Sequence, residues 1–240
     1  MILNGSPLTL TRIITVYFVQ GSLFVFFLYL AFRIIQREKK KLNYIFSAFY
    51  IFEAVGLFIN FIYAPIAVES IVKVLNFLTN FFSFYAPIFL LIFILILLKS
   101  EKAITPKKQL IILIVYGIIL FSMIFIAFIP DIGVEIINGA PRWGWVFFVY
   151  VSSVVTLFST IPTLYFSWQI FKQFGDQRLQ ERRRYFLGGC IVLYIFLYSI
   201  FFNNTTDPDS PFRTVVALAG LFLTISASIL LYYGVGRQLD

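Results

Sequence analysis

The sequence predicts an all-α integral membrane protein, a bundle of seven transmembrane helices, and two observations carry this prediction. Of its 240 residues, 60% are hydrophobic and only 12% are charged, and the mean hydropathy is +0.92. Soluble domains carry about 25% charged residues, so water is not the main solvent of this chain. The second observation is the occurrence of seven apolar runs, each long enough to cross about 30 Å of hydrocarbon as a helix.

These seven runs are interpreted as helices because lipid offers the backbone no hydrogen-bond partner outside the helix itself. The first run is too long for the core of a signal peptide and follows no basic segment, so we expect it to remain as the first membrane helix. Short loops connect the runs, which predicts a single domain over residues 1–240. The predicted helices are residues 13–32, 44–63, 74–98, 110–129, 145–171, 185–202 and 214–233.

Basic residues are concentrated on one side of the predicted helices. Of the 19 lysines and arginines, all but four follow helices one, three, five and seven. The four on the other side are Arg12, Lys73, Arg142 and Arg213. Because basic loops stay in the cytoplasm, this pattern predicts an external N-terminus and a cytoplasmic C-terminus. It also accounts for the net charge of +8, and leaves no basic stripe for binding nucleic acid.

The loop before the fifth helix is expected to lie outside the membrane. Pro130, Asp131 and Glu135 make it acidic and turn-like. Trp143 and Trp145 follow where an outer belt of interfacial aromatic residues is expected.

The sequence gives no support to metal or cofactor chemistry. It has one cysteine and no histidine, so it lacks the commonest zinc and haem ligands and cannot form an intramolecular disulfide. It also lacks a phosphate-binding glycine loop, a zinc-protease motif and a nucleophile elbow. The last helix has no lysine to form a Schiff base with retinal. We therefore expect no cofactor, no metal and no enzymatic activity.

Glu53 is an ionisable residue near the middle of the second apolar run. A carboxyl group at mid-bilayer costs about 2.5 to 3.5 kcal/mol on insertion scales, so such residues usually face the bundle interior. This position makes Glu53 a candidate proton carrier or hydrogen-bond donor. The alternative is a structural role, in which it bonds a neighbouring helix.

Polar residues form seams along the second and third helices. Glu53, Gly56 and Asn60 share one face of helix two, and helix three carries Lys73, Asn76, Asn80, Ser83 and Pro87 at alternating spacings of three and four. At 1.5 Å per residue, Asn60 lies level with Asn76 and Asn80, and Gln20 of helix one lies at a similar depth. These positions predict a buried amide network.

Two interpretations of this cluster stay open. It either lines a pocket or pathway that opens outward, or it makes interhelical hydrogen bonds worth about 0.6 to 2 kcal/mol each. Pro87 and Pro162 remove backbone hydrogen bonds and predict kinks. Small residues on helices five and seven favour close packing, with ligand contact as the alternative. The two stripes are Ser152, Thr156, Ser159, Thr163 and Ser167, and Ala217, Gly220, Thr224 and Ala227 or Ser228.

Three consecutive arginines precede the sixth helix. Arg182, Arg183 and Arg184 either orient the chain by their charge or bind anionic lipid or a cytoplasmic partner.

The last third of the chain resembles the seven-helix sensor regions that precede prokaryotic histidine kinase domains. The segment ERRRYFLG at residues 181–188 resembles the basic turn and small-residue entry to helix six of that group. The segment LYYGVGRQLD at residues 231–240 resembles its exit from helix seven. The resemblance implies a bundle that senses a ligand or the membrane, with its output in a separate protein or a further segment.

The leading hypothesis is therefore a stand-alone receptor or sensor for a small molecule or lipid, signalling through a membrane or cytoplasmic protein partner. The outward polar region of helices two and three would be its recognition site. One alternative is a small proton- or cation-linked channel or transporter that uses Glu53. Another is a membrane scaffold or assembly subunit. We expect a location in the plasma or cell membrane, and the oligomeric state stays open.

Overall fold

The computed structural model describes residues 8–37, 40–172, 177–208 and 210–236. Within these residues, seven helices are long and apolar enough to cross a membrane. The predicted number of spanning helices is therefore confirmed, and the chain is a multi-pass membrane protein. The described residues do not include Lys39, Asp209 or residues 237–240, which end the segment 231–240 compared above with sensor regions.

Each helix continues beyond its predicted apolar run at one end or both. Hydropathy detects only the part that lies in hydrocarbon, whereas polar residues continue a helix into the interface. The helices are α1 (Leu10–Arg37), α2 (Lys41–Tyr63), α3 (Glu69–Lys99), α4 (Pro106–Ala127), α5 (145–172), α6 (Gln177–Thr205) and α7 (Pro211–Gly236).

Four of these helices depart from regular α-helical geometry, and α4 is interrupted by a turn at residues 122–123. α3 is interrupted at Ala86, directly before Pro87, so the break expected from that proline is present. α5 contains a π-helical segment at Thr156–Thr160, just before Pro162. α1 begins with a longer π-helical segment at Ile13–Gln20, which the sequence analysis did not predict. Such wide turns occur frequently at functional sites.

α3 is the central helix of the bundle. Its most apolar stretch is 67% buried, compared with 22% to 39% for the other six helices. It packs against α2, α4 and α5, while α6 packs along α7 and α7 returns to α1. Asn76, Thr79 and Asn80 of α3 are therefore buried against other helices.

A β-hairpin covers one end of the bundle, which we call the hairpin end. Strands β1 (Val134–Ile137) and β2 (Ala140–Trp143) are antiparallel, with Val134 opposite Trp143. The turn between them needs positive φ at two positions, and Asn138 and Gly139 adopt 51° and 76°. The sequence indicated a turn-like loop here but no strands.

The hairpin also corrects the expectation for Trp143. This side chain is buried, and its ring lies 5.0 Å from that of Phe147 and 5.8 Å from those of Phe84 and Phe201. Its assignment to an outer aromatic belt is wrong, because the strand turns it into the core. Trp145, two residues later, is exposed.

The opposite end, which carries the loops after α1, α3 and α5, is called the basic end. Here α1 and α7 are joined by Arg37, whose Nη2 donates to the Tyr232 hydroxyl and whose guanidinium carbon lies 4.2 Å from the centre of that ring. α6 and α7 approach closely at Gly189 and Gly234, where an added Cβ would lie within 3.0 Å of the facing helix. The basic end is therefore tightly packed.

Candidate functional site

A cavity of about 210 Å³ lies inside the hairpin half of the bundle. Its walls come from α1, α2, α3, α6, α7 and the hairpin. The sequence predicted six polar residues of a pocket or pathway, and all six line this cavity. The polar faces of α1, α2 and α3 therefore meet there. The six residues are Gln20, Glu53, Asn60, Asn76, Asn80 and Ser83.

Glu53 lies at the deep end of the cavity, furthest from the hairpin. The Ser83 hydroxyl lies close to its carboxyl group. Gly56 makes this contact possible, because a Cβ at that position would lie 2.3 Å from Ser83 Oγ and 3.1 Å from the Thr79 carbonyl oxygen. The glycine predicted on the same face as Glu53 thus lets α2 and α3 come close enough for the two side chains to meet.

The predicted amide network is present along the polar wall. Asn80 Nδ2 donates to Asn76 Oδ1 over 3.1 Å, and Asn76 Nδ2 donates to the Tyr63 hydroxyl over 3.1 Å. Asn60 Nδ2 donates to Gln20 Oε1, which links α2 to α1. Hydrogen bonds of this kind hold membrane helices together, so the network fixes the shape of the wall.

The π-helical segment of α1 supplies part of that helix's share of the cavity wall. Gln20 is its last residue, and Val16 and Val19 line the cavity beside it. A π-helical turn changes the direction of the side chains relative to a regular helix. With Thr15 also on the wall, this segment of α1 presents two polar and two apolar residues to the same space.

Two arginines at the hairpin end were not predicted as site residues. Arg12 and Arg213 line the cavity and are only 6% and 9% exposed. Arg12 Nη1 donates to the Gly139 carbonyl oxygen. Arg213 Nη2 donates to the carbonyl oxygens of Pro141, Asn204 and Thr206 over 3.1, 3.2 and 2.7 Å. Both side chains therefore hold the hairpin against the helices while facing the cavity.

A signal for these arginines was present in the sequence. They are two of the four basic residues on the side where such residues are rare, and the orientation rule gives no reason for them to be there. The other two, Lys73 and Arg142, do not line the cavity. Arg142 instead forms an ion pair with Glu135, with 2.6 Å between Nη2 and Oε2.

The middle of the wall opposite the amide network is apolar, between Asn203, Asn204 and Arg213 at the hairpin end and Thr224 at the deep end. α6 contributes Leu193, Phe196 and Leu197, and α7 contributes Val216 and Ala217. In the small-residue stripe of α7, Ala217 and Thr224 line the cavity, whereas Gly220 packs against the Phe196 ring.

The hydroxyl stripe of α5 packs against α6 and contributes nothing to the cavity wall. Ser159 hydrogen-bonds Tyr194 over 3.0 Å, and Thr156 hydrogen-bonds Tyr198. Of its two predicted roles, packing is the one visible here.

The three consecutive arginines lie at the basic end, away from the cavity. Arg184 is exposed, Arg182 is half-buried and Arg183 is buried. Arg183 is therefore not presented at the surface to a partner or lipid headgroup, and any such contact falls to its two neighbours.

Fold and cavity together define a seven-helix membrane protein with a cavity that has one polar and one apolar wall. Among the described residues, no three carboxyl or thiol groups come together to bind a metal ion. No protein-family model, no curated protein and no solved structure matches this chain.

Proposed function

We propose that this protein is a stand-alone membrane receptor or sensor that recognises a small molecule or lipid in the cavity and signals through a partner protein. In this proposal the hairpin end faces outward and the basic end lies in the cytoplasm, in the orientation that the distribution of basic residues favours. The likeness to kinase-associated sensor regions points to the same class.

The observation that carries the proposal is that the cavity reaches the surface at the hairpin end, whereas the bundle beyond its deepest wall residues is closely packed. Exposed Asn138 and half-buried Thr9 and Asn204 line its hairpin end, so it reaches the surface there. Its deepest wall residues include Glu53 and Pro87. One turn further toward the basic end the bundle is filled, with fully buried side chains at Phe49, Tyr50, Leu90, Cys190 and Ala227. A blind cavity suits recognition better than conduction.

The structure also offers a route from the cavity to the basic end. α1 and α7 both line the cavity, and the same two helices are joined at the basic end by Arg37 and Tyr232. A ligand that binds more tightly when α1 and α7 adopt one spacing would shift the population toward that spacing at both ends.

Glu53 favours a second candidate, a proton- or cation-linked transporter. Its carboxyl group lines a cavity that reaches the surface, as the first half of an ion pathway would. The two functions differ in one measurable property, because a transporter moves solute across the bilayer and a sensor does not.

The first experiment is a flux assay in proteoliposomes that contain a pH-sensitive dye. We expect proton entry no faster than in protein-free vesicles, for the wild type and for Glu53→Gln alike, across a pH gradient and with sodium or potassium outside. Flux that depends on Glu53 would overturn the sensor proposal in favour of the transporter.

The second experiment tests coupling by filling the cavity. In a Cys190→Ser background, spin labels at Gln36→Cys of α1 and Tyr233→Cys of α7, both exposed at the basic end, report the separation of these two helices by electron paramagnetic resonance. We expect Ala217→Phe to shift this distance because the ring occupies the cavity. Val215→Phe, at an exposed position of the same helix, is the control and leaves it unchanged. An unchanged distance in Ala217→Phe contradicts coupling.

A further inference from the structure

The floor of the cavity is a contact between α2 and α7. The Tyr50 hydroxyl donates to the Ser228 carbonyl oxygen over 3.4 Å, and both residues are 0% exposed. One turn nearer the hairpin, the same two helices present Glu53 and Thr224 to the cavity. Glu53 and Thr224 therefore lie level with each other, directly above the floor.

The polar groups near the floor are acceptor oxygens. The Ser83 hydroxyl lies close to the Glu53 carboxyl group. Asn80, one turn nearer the hairpin, donates through Nδ2 to Asn76, and its Oδ1 accepts no hydrogen bond from the described residues. The Thr224 side chain is 1% exposed, and its hydroxyl has no partner among those residues either. Because buried polar groups are normally satisfied, these oxygens indicate a ligand that donates hydrogen bonds.

The charges on the cavity wall are separated along its length. Arg12 and Arg213 are the only basic residues that the described structure places on the wall, and both are bonded at the hairpin end. From Arg213 to Thr224, α7 rises about 16 Å. Glu53 takes part in no ion pair with another described residue. A buried carboxylate is normally paired with a cation, so the deep end suits a positively charged ligand.

The space above the carboxyl group fits a short apolar body. Between Thr224 and Ala217, α7 rises about 10 Å. Along this stretch the wall is formed by apolar side chains of α6, which are Leu193, Phe196 and Leu197. The cavity of about 210 Å³ is smaller than the pockets of about 300 to 1,000 Å³ that hold drug-sized ligands. An inorganic cation would leave the apolar side chains without contact, whereas a small organic cation would cover them.

We infer that the deep end of the cavity binds a small organic ammonium ion, with its N–H groups on Glu53 and the neighbouring oxygens and its apolar body along α6 and α7. The inference rests on the proposed function, since it names the ligand class of the same site. A primary ammonium group has three N–H donors, so it can bond the carboxylate and two further acceptors together. A neutral ligand would leave the carboxylate without an opposite charge.

The test measures binding of tritiated phenethylamine to the full chain in nanodiscs of neutral lipid, with empty nanodiscs as the background. We expect saturable binding. Phenethyl alcohol has a similar shape and no charge, and trimethylphenethylammonium has the charge and no N–H donor. Each is expected to displace phenethylamine about tenfold less effectively than unlabelled phenethylamine does, because each loses charge-assisted hydrogen bonds.

The competitors also define the results that would overturn the inference. Equal displacement by phenethyl alcohol would overturn the cationic ligand. Equal displacement by trimethylphenethylammonium would overturn the hydrogen bonds to the acceptor oxygens. Full displacement by millimolar sodium chloride, which is too dilute to screen charges at this range, would assign the site to an inorganic cation.

Variants locate the binding site. Glu53→Gln keeps the shape of the side chain and removes its charge, so we expect binding to weaken by about tenfold or more. Glu69→Gln removes an exposed carboxyl group of α3 that is not on the cavity wall, and binding is unchanged. Ala217→Phe fills the space for the apolar body and abolishes binding, whereas Val215→Phe, at an exposed position, does not.

Binding and signalling fail separately in this design. Phenethylamine that binds but leaves the spin-label distance unchanged contradicts the sensor and supports the ligand class. Phenethyl alcohol that binds equally well and shifts the distance supports the sensor and overturns the ligand class. Undiminished phenethylamine binding in folded Glu53→Gln protein, judged by its size-exclusion profile, also overturns the ligand class.

Discussion

The hairpin half and the basic half of the bundle use the same helices in opposite ways. In the hairpin half, α1, α2, α3, α6 and α7 surround a cavity with amides, two arginines and a carboxyl group on its wall. In the basic half, those helices bury Phe46, Phe49, Tyr50 and Phe93 in one continuous apolar core. The hairpin half therefore encloses a cavity, whereas the basic half is closely packed.

This difference indicates that the two halves of each helix have different roles. Close packing makes the basic half a rigid body that transmits displacement, since dense cores deform little. The hairpin half has hydrogen-bonding groups and open volume, which permit it to respond to an occupant. Three substitutions test this contrast, beginning with the largest expected change in stability.

The largest change in stability is expected from substitution of Gly189, one of two adjacent glycines in α6. In Gly189→Ala the new Cβ would lie 2.9 Å from the Leu231 backbone nitrogen and 3.0 Å from the Ala227 carbonyl oxygen. α6 and α7 must then separate, and we expect the free energy of unfolding to fall by about 1 to 3 kcal/mol. Unfolding in mixed micelles with increasing dodecyl sulfate measures it.

Gly188→Ala is the matched control for this substitution. No heavy atom lies within 4 Å of a Cβ added at this position. The same change in the same helix is therefore expected to leave stability unaltered or to raise it by up to about 1 kcal/mol. Equal losses in the two variants would mean that the basic half is not tightly packed at α6 and α7.

A smaller loss is expected from the amide network in the hairpin half. Asn60→Leu removes the hydrogen bond to Gln20. Interhelical hydrogen bonds in membranes average about 0.6 kcal/mol and rarely exceed about 1.7 kcal/mol, so the same unfolding assay should detect a modest decrease. Ile62→Leu, at an exposed position of α2, should change nothing. If Asn60→Leu lowered the free energy of unfolding more than Gly189→Ala does, hydrogen bonding in the hairpin half would contribute more to stability than close packing in the basic half.

The smallest effect is expected at Thr224. Its hydroxyl has no partner among the described residues, so Thr224→Val removes a polar atom that contributes nothing to the empty protein. We expect stability to change by less than about 0.5 kcal/mol or to increase. Thr160→Val makes the same replacement where the hydroxyl bonds Tyr198, and it should cost about 1 kcal/mol. A greater loss in Thr224→Val would show that its hydroxyl is satisfied within the protein.

Much of the polar wall was predictable from spacing along single helices. Asn76, Asn80 and Ser83 share a face of α3 because of the helical period, and depth arithmetic brought Asn60 and Gln20 to the same level. The arginines and the apolar wall were not predictable in this way. Arg12 and Arg213 are 201 positions apart, and a hairpin with no clear strand pattern brings them together.

The sequence by itself determined that this chain crosses a membrane seven times and where each crossing lies. The reason is local, because in lipid every backbone group must be satisfied within its own helix and each apolar run therefore specifies one helix. Only the tertiary structure decided which polar faces meet, that Trp143 turns inward and that a cavity remains at one end. These outcomes depend on side-chain contacts between segments that are distant in the sequence. Because lipid is as apolar as the helix surfaces, hydrophobicity along the sequence does not indicate which faces pack together.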